Sequence, residues 1–108
     1  MVNFKVETDQ KAGELLVRLY GEFDILAFGE VDQLLTDAQS DTNERVVVDL
    51  RTVEFIDSSG IRALVRAHKR AVDSGGEFRL IRGPKTVHRV FELAGLDTRL
   101  DFHDAVGA

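Results

Sequence analysis

The hexapeptide Arg45–Leu50, RVVVDL, limits the fold of this chain more than any other stretch. Three consecutive valines are stiff at χ1 and favour extended backbone, and with Leu50 they put apolar groups on both faces of a strand. Such runs belong to central strands of parallel sheets covered on both sides. The flanking segments supply candidate covers. From Leu26 to Ala38, the residues Phe28, Val31, Leu34, Leu35 and Ala38 recur at spacings of three and four, one face of a helix with Asp24 as its cap. Ile61, Leu64, Val65, His68, Ala71 and Val72 form a second helical stripe, opposed by Arg62, Arg66, Lys69, Arg70 and Asp73 and stopped by Gly75-Gly76.

Shorter elements complete the order. Asn3–Thr8 and Leu15–Tyr20 read as two strands of a hairpin, the second ended by Gly21-Glu22-Phe23-Asp24. Glu77–Arg82 reads as a further strand. Pro84 opens a third helix that buries Val87, Val90, Phe91 and Ala94 and ends at Gly95. Leu100–Phe102 reads as a last short edge strand, with His103–Ala108 a tail or a final helical turn. Two strands followed by alternating helices and strands predict an α/β fold: a mixed central sheet with parallel core strands joined by right-handed crossovers. At 108 residues, with 44% hydrophobic and 31% charged, the expectation is a single globular domain over 1–108.

Charge and composition narrow the function. The net charge of −5 argues against a nucleic-acid binder, whose affinity rests on neutralising phosphates. The absence of cysteine excludes disulfides, thiolate catalysis and cysteine-ligated zinc. The opening MVNFKVETDQ lacks the basic and apolar succession of a secretory leader, and no apolar run approaches the roughly 20 residues that span a bilayer. A cytoplasmic protein that does not contact membrane is the expectation.

The stretch VEFIDSSGIRALV, Val53–Val65, holds the densest chemistry. The central strand is expected to end at Asp49-Leu50, so that this loop leads into the second helix at the carboxyl edge of the sheet, where α/β proteins bind ligands and partners. Asp24 leaves its own strand at a comparable point, which puts Asp24, Asp57, Ser58 and Ser59 on one rim. An Asp or Ser before a helix is commonly a cap, worth about 1 kcal/mol. If Asp57 is the cap, Ser58 falls in the first turn with a free hydroxyl. Gly60 gives up about 1 kcal/mol of helix propensity there, which points to a close approach to its backbone.

Serine catalysis lacks its base: His68 lies about 15 Å along the helix, His88 and His103 are remote in sequence, and the G-x-S-x-G elbow is absent. No glycine-rich nucleotide loop occurs. A cation held by Asp24, Asp49 and Asp57 is conceivable in chemistry but matches no ligand spacing. The face Arg62, Arg66, Lys69 and Arg70 reads either as solvated helix surface or as a docking patch for an acidic partner.

DLRTVEFIDSSGI at Asp49–Ile61 resembles the signature of the anti-sigma factor antagonists, the small stand-alone STAS domains of bacteria. GEFD at Gly21–Asp24 and VHRVFELAGLD at Val87–Asp97 are similar to two further family elements, in the same order and without large insertions. The resemblance implies a binding partner rather than an enzyme, with no cofactor and no metal. Unphosphorylated, it would bind an anti-sigma factor that is also a serine kinase and so free a sigma factor. Phosphorylation of the first serine of the motif, here Ser58, would break that complex, and a phosphoserine phosphatase would restore it. Asp24, Asp57, Ser58, Ser59, Gly60, Ile61 and Arg62 would form the partner-binding surface. Arg62 departs from the second glycine that the family often carries. The same domain also serves as an accessory subunit of lipid-transport or other signalling complexes, which is the alternative role. A receiver domain that takes phosphate on Asp would need an acidic pair after its first strand, and the sequence has none there.

Overall fold

The computed structural model describes residues 3–40 and 43–105. Strands β1 (Phe4–Lys11) and β2 (Glu14–Phe23) are followed by helix α1 (Ile25–Ser40), β3 (Arg45–Ile56), α2 (Ser58–Ser74), β4 (Glu77–Ile81), α3 (Lys85–Leu93) and β5 (Phe102–His103). The sheet order is β1-β2-β3-β4-β5, antiparallel between β1 and β2 and parallel at every later pair. The expected α/β class and mixed sheet are therefore observed. His103–Ala105 form no helical turn, and the rest of the expected tail lies outside the described residues.

The helices pack on one face of the sheet, which corrects the expectation of a central strand covered on both sides. Val46 and Val48 point into the core with Leu15, Val17, Leu19, Phe78 and Leu80 from neighbouring strands. Val31 and Leu35 of α1, Ala63, Leu64 and Ala67 of α2, and Val87 and Phe91 of α3 close the same cluster. Burying these apolar groups is the main term holding the layers together. Val72 and Ala94, expected on buried faces, are exposed, because the contact stripe of α2 runs through alanines and α3 ends its contact at Phe91.

The other face is open, and its polar groups are held in pairs. Val47, Leu16 and Ile81 lie half-buried there among charged neighbours. Asp49 is 3% exposed, the buried charge of this face. Its Oδ1 accepts from the Arg51 backbone N–H at 3.0 Å, its Oδ2 accepts from Arg51 Nη2 at 2.8 Å, and Arg18 Nε stands 3.6 Å away. Burial alone would raise the carboxyl, but the Arg51 hydrogen bonds and the charges of Arg51 and Arg18 outweigh it and hold it below its ordinary value. Arg45 bridges Glu77 and Glu14 at 2.8 and 3.3 Å across three strands, and Tyr20 donates to Glu7.

Both strands at the centre run further than their periodicity implies. β2 continues through Gly21, whose φ of +89° and contact with the Asn3 carbonyl exclude a side chain, and ends at Phe23. β3 continues past Leu50 to Ile56 through two register irregularities: Arg18 and Tyr20 pair with Asp49 and Thr52, then Gly21 and Glu22 pair with Val53 and Phe55. Each adds one unpaired residue to β3, so its buried positions fall at Leu50, Val53 and Ile56 instead of alternating. Thr52 Oγ1 donates to the Leu19 carbonyl at 2.8 Å and ties the first irregularity to β2.

The added length brings the start of α2 against the end of β2. The Asp57 N–H donates to the Phe23 carbonyl at 3.4 Å. A Cβ at Gly60 would lie 2.5 Å from that same carbonyl oxygen and 2.8 Å from Ile56 Cγ1. The close approach expected at Gly60 is thus made by the protein's own backbone.

Two outcomes follow for stability. Asp49→Asn should lower the free energy of unfolding at neutral pH by about 1–2 kcal/mol, the scale of charge-assisted bonds to partly exposed partners. Because the native carboxyl titrates below its unfolded value, this advantage exists above the ordinary carboxylate range and disappears as pH falls through the lowered native value. Urea unfolding of both proteins from pH 7 down to pH 3 should show the difference shrinking towards acid. Gly60→Ala should destabilise by about 1–3 kcal/mol through overpacking, although alanine is the better helix former. An increase in thermal stability on that substitution would contradict the contact.

Candidate functional site

The rim is built from two strand-to-helix junctions. At the first, Asp24 Oδ1 accepts from the Leu26 backbone N–H at 3.0 Å and caps α1. At the second, Asp57 is the cap of α2, its Oδ1 accepting from the N–H groups of Ser59 and Gly60 at 2.8 and 3.2 Å. The hydrogen bond from Asp57 to Phe23, the residue before Asp24, sets the junctions side by side. Phe23 is fully buried, with its ring stacked on Phe4 at 5.6 Å, so the platform beneath them is packed.

Ser58 is the first residue of α2 and is exposed. Ser59 is half-buried, and Ile61 packs partly on the core. Gly60 is buried beneath the rim, so its part is to seat the helix rather than to meet a partner, a correction to its place on the expected surface. Arg62 is exposed and one helical turn beyond Ser58, with its guanidinium 4.4 Å from the centre of the Phe28 ring.

Three exposed apolar side chains lie within two residues of the capping acids, and the helical stripes did not single them out. Ile25 and Leu26 open α1 and are 60% and 79% exposed, and Phe55, two residues before the Asp57 cap, is 51% exposed. The available signal was positional: each is a bulky apolar residue beside a capping acid and outside its element's buried stripe. Exposed apolar groups gathered beside a polar centre have the character of a protein-docking surface.

The remaining candidates sit elsewhere. Asp49 belongs to the open sheet face with Arg18 and Arg51, so the conceived Asp24, Asp49 and Asp57 set is not assembled. Among the described residues there is no group of three or more metal-binding side chains. His68 is half-buried along α2, His88 packs edge-on against Phe102 at 4.7 Å, and His103 lies 2.8 Å from Asp101. None of them is positioned to activate Ser58. The basic face of α2 is largely engaged: Arg66 and Arg70 reach Asp32 of α1 at 3.0 and 3.6 Å, and Arg70 Nε donates to Gln39. A hollow of about 310 Å³ between Gln39, Asn43 and Gly76 opens at the opposite end of the sheet. Among the described residues, no helix is long and apolar enough to cross a membrane.

Comparison with known proteins bears on this geometry. The STAS domain family model matches residues 5–108. The anti-sigma F factor antagonist of Paenibacillus polymyxa is 30% identical over 104 residues, 95% of this chain and 89% of that protein. The crystal structure of an anti-sigma factor antagonist from Mycobacterium paratuberculosis superposes with a TM-score of 0.84 at 21% identity, covering 95% of this chain and 87% of the other. SpoIIAA is similar in two forms. The unphosphorylated anti-sigma factor antagonist gives a TM-score of 0.81 at 21% identity, covering 95% of this chain and 90% of its own. The phosphorylated Bacillus protein gives 0.77 at 20% identity, covering 95% and 93%. A helix-capped serine loop on this sheet, matched nearly end to end by one family model, makes the chain a member of the STAS domain family.

Proposed function

We propose that this protein is a phosphorylation-switched anti-sigma factor antagonist. Unphosphorylated, it binds an anti-sigma factor with serine kinase activity through the rim around Ser58, and the sigma factor is released. The observation that carries this is the exposed Ser58 hydroxyl at the first position of α2, bordered by Ile25, Leu26 and Phe55. The name carried by the Paenibacillus relative supports the partner class. Asp24, Asp57, Ser59, Ile61 and Arg62 complete the contact surface.

The protein acts as a substrate and a binding module, not as a catalyst. The kinase supplies the base that takes the Ser58 proton, the serine oxygen receives the γ-phosphoryl group of ATP, and ADP leaves. The product carries about −1.5 to −2 charges near neutral pH. Amide groups and the dipole at the start of a helix tolerate that charge, so the native fold survives. At the interface the same charge must be stripped of water beside apolar side chains, and binding is lost. A phosphoserine phosphatase reverses the state. The similarity of this chain to SpoIIAA in both forms is in keeping with a switch that leaves the architecture alone.

Mass spectrometry after incubation with the cognate kinase and ATP should locate one phosphate, on Ser58. Ser58→Ala should unfold within about 0.5 kcal/mol of the parent, resist phosphorylation and keep its affinity within a few-fold. Ser58→Asp should fold equally well and bind at least roughly 30-fold more weakly by calorimetry, about 2 kcal/mol. Phosphate found only on Ser59 would overturn the assignment.

A further inference from the structure

Arg62 stands out among the arginines of α2. Arg66 and Arg70 are held by Asp32, whereas Arg62 has no carboxylate partner among the described residues and rests on the Phe28 ring at 4.4 Å. Ser58 lies four residues before it on the same helix. Residues so spaced share a face, with Cβ atoms about 5–6 Å apart. Helical side chains lean towards the amino end, so the turn that holds Ser58 is within reach of Arg62 once it leaves Phe28. An anion placed four residues before a cation is the favourable order for such a pair.

We infer that Arg62 is a phosphate clamp in cis: when Ser58 carries phosphate, the guanidinium leaves Phe28 and pairs with the phosphate oxygens. This deepens the function proposed above and rests on Ser58 being the modified residue. The planar guanidinium presents two parallel donors to phosphate oxygens, a stronger attraction than an aromatic face offers. The capping acids of the two junctions are already committed, Asp57 to the amides of Ser59 and Gly60 and Asp24 to that of Leu26. The phosphorylated form then differs at two places on the rim: the charge at Ser58 is partly neutralised by Arg62, and the half-buried Phe28 ring loses its cover. A phosphatase meets a phosphate that is already paired, and a kinase meets a rim with a different apolar outline.

The test uses the full chain with phosphoserine installed at position 58 during translation, so that no kinase is needed. A ³¹P titration should give a second phosphate pKa roughly half a unit lower with Arg62 than with Arg62→Gln, the scale of an exposed one-turn ion pair with a dianion. The other charged groups near position 58 are Asp24 and Asp57 at the two junctions, Glu54 before the cap and Arg66 one turn beyond Arg62. All four are common to both proteins and cancel in the comparison. Arg62→Lys should recover part of the shift. In the parent, the Arg62 Nε–H resonance should move downfield when Ser58 is phosphorylated, as it leaves the shielding of the ring. Equal phosphate pKa values in the Arg62 and Gln proteins, or an unmoved Nε–H resonance, would overturn the clamp. A kinase that ignores Ser58 would instead defeat the proposed function and leave this measurement standing.

Discussion

The Phe23 carbonyl meets the first turn of α2 with no room for a side-chain carbon between them, and the geometry of the rim depends on that contact. Gly60 must face the sheet there. Two residues apart on a helix means about 200° of rotation, so seating Gly60 inward turns Ser58 outward. Asp57, one step earlier, is left at the cap, where its carboxylate takes the amides of Ser59 and Gly60. The exposure of the serine is therefore a consequence of packing on the far side of the helix. It does not require an unusual conformation at Ser58 itself.

The contact is possible only because β3 is long enough to deliver α2 to the end of β2. The two extra residues of β3 stretch Leu50, Val53 and Ile56 into a buried series three apart. Confining the helices to one face leaves a broad surface that would otherwise invite association. There the charges alternate in sign across neighbouring strands, with Arg18, Arg45 and Arg51 among Glu14, Asp49 and Glu77. Each half-buried apolar group is flanked by ions that would have to be desolvated by anything docking flat on the sheet. The carboxyl ends of β2 and β3, with Ile25, Leu26 and Phe55 exposed, are where the proposed partner would bury apolar area at less cost.

Much of this was legible in the sequence where the signal is local. The stripe of α1, the Asp24 and Asp57 caps, and the left-handed Gly75 stop all depend on residues within a few positions of one another, whereas the buried stripe of α2 runs through Ala63 and Ala67, which the apolar pattern passed over. The second half of β3 was not legible, because its irregularities break the period of two by which a strand is recognised. The open face was hidden by its own composition: Val47 is as apolar as Val46 and Val48, and only the absence of a covering helix distinguishes it. Arg66 and Arg70 looked like free surface because their acid, Asp32, is on another helix. Gly60 was correctly read as a point of close approach, but the approaching group is a carbonyl more than thirty residues earlier in the chain.

A serine fixed in this way suits control by charge. Its backbone is already committed to a helix whose cap and packing are complete before any modification, so adding a phosphate perturbs little of the core and the two states can have similar stability. Under the proposed switch, discrimination between them comes from the rim itself, where a partner either buries an uncharged hydroxyl among apolar neighbours or must strip water from a dianion. On that reading, the packed junction beneath Ser58 holds the serine at the rim where the partner meets it. Side chains that are not part of the packed seat, Arg62 above all, are the ones free to respond.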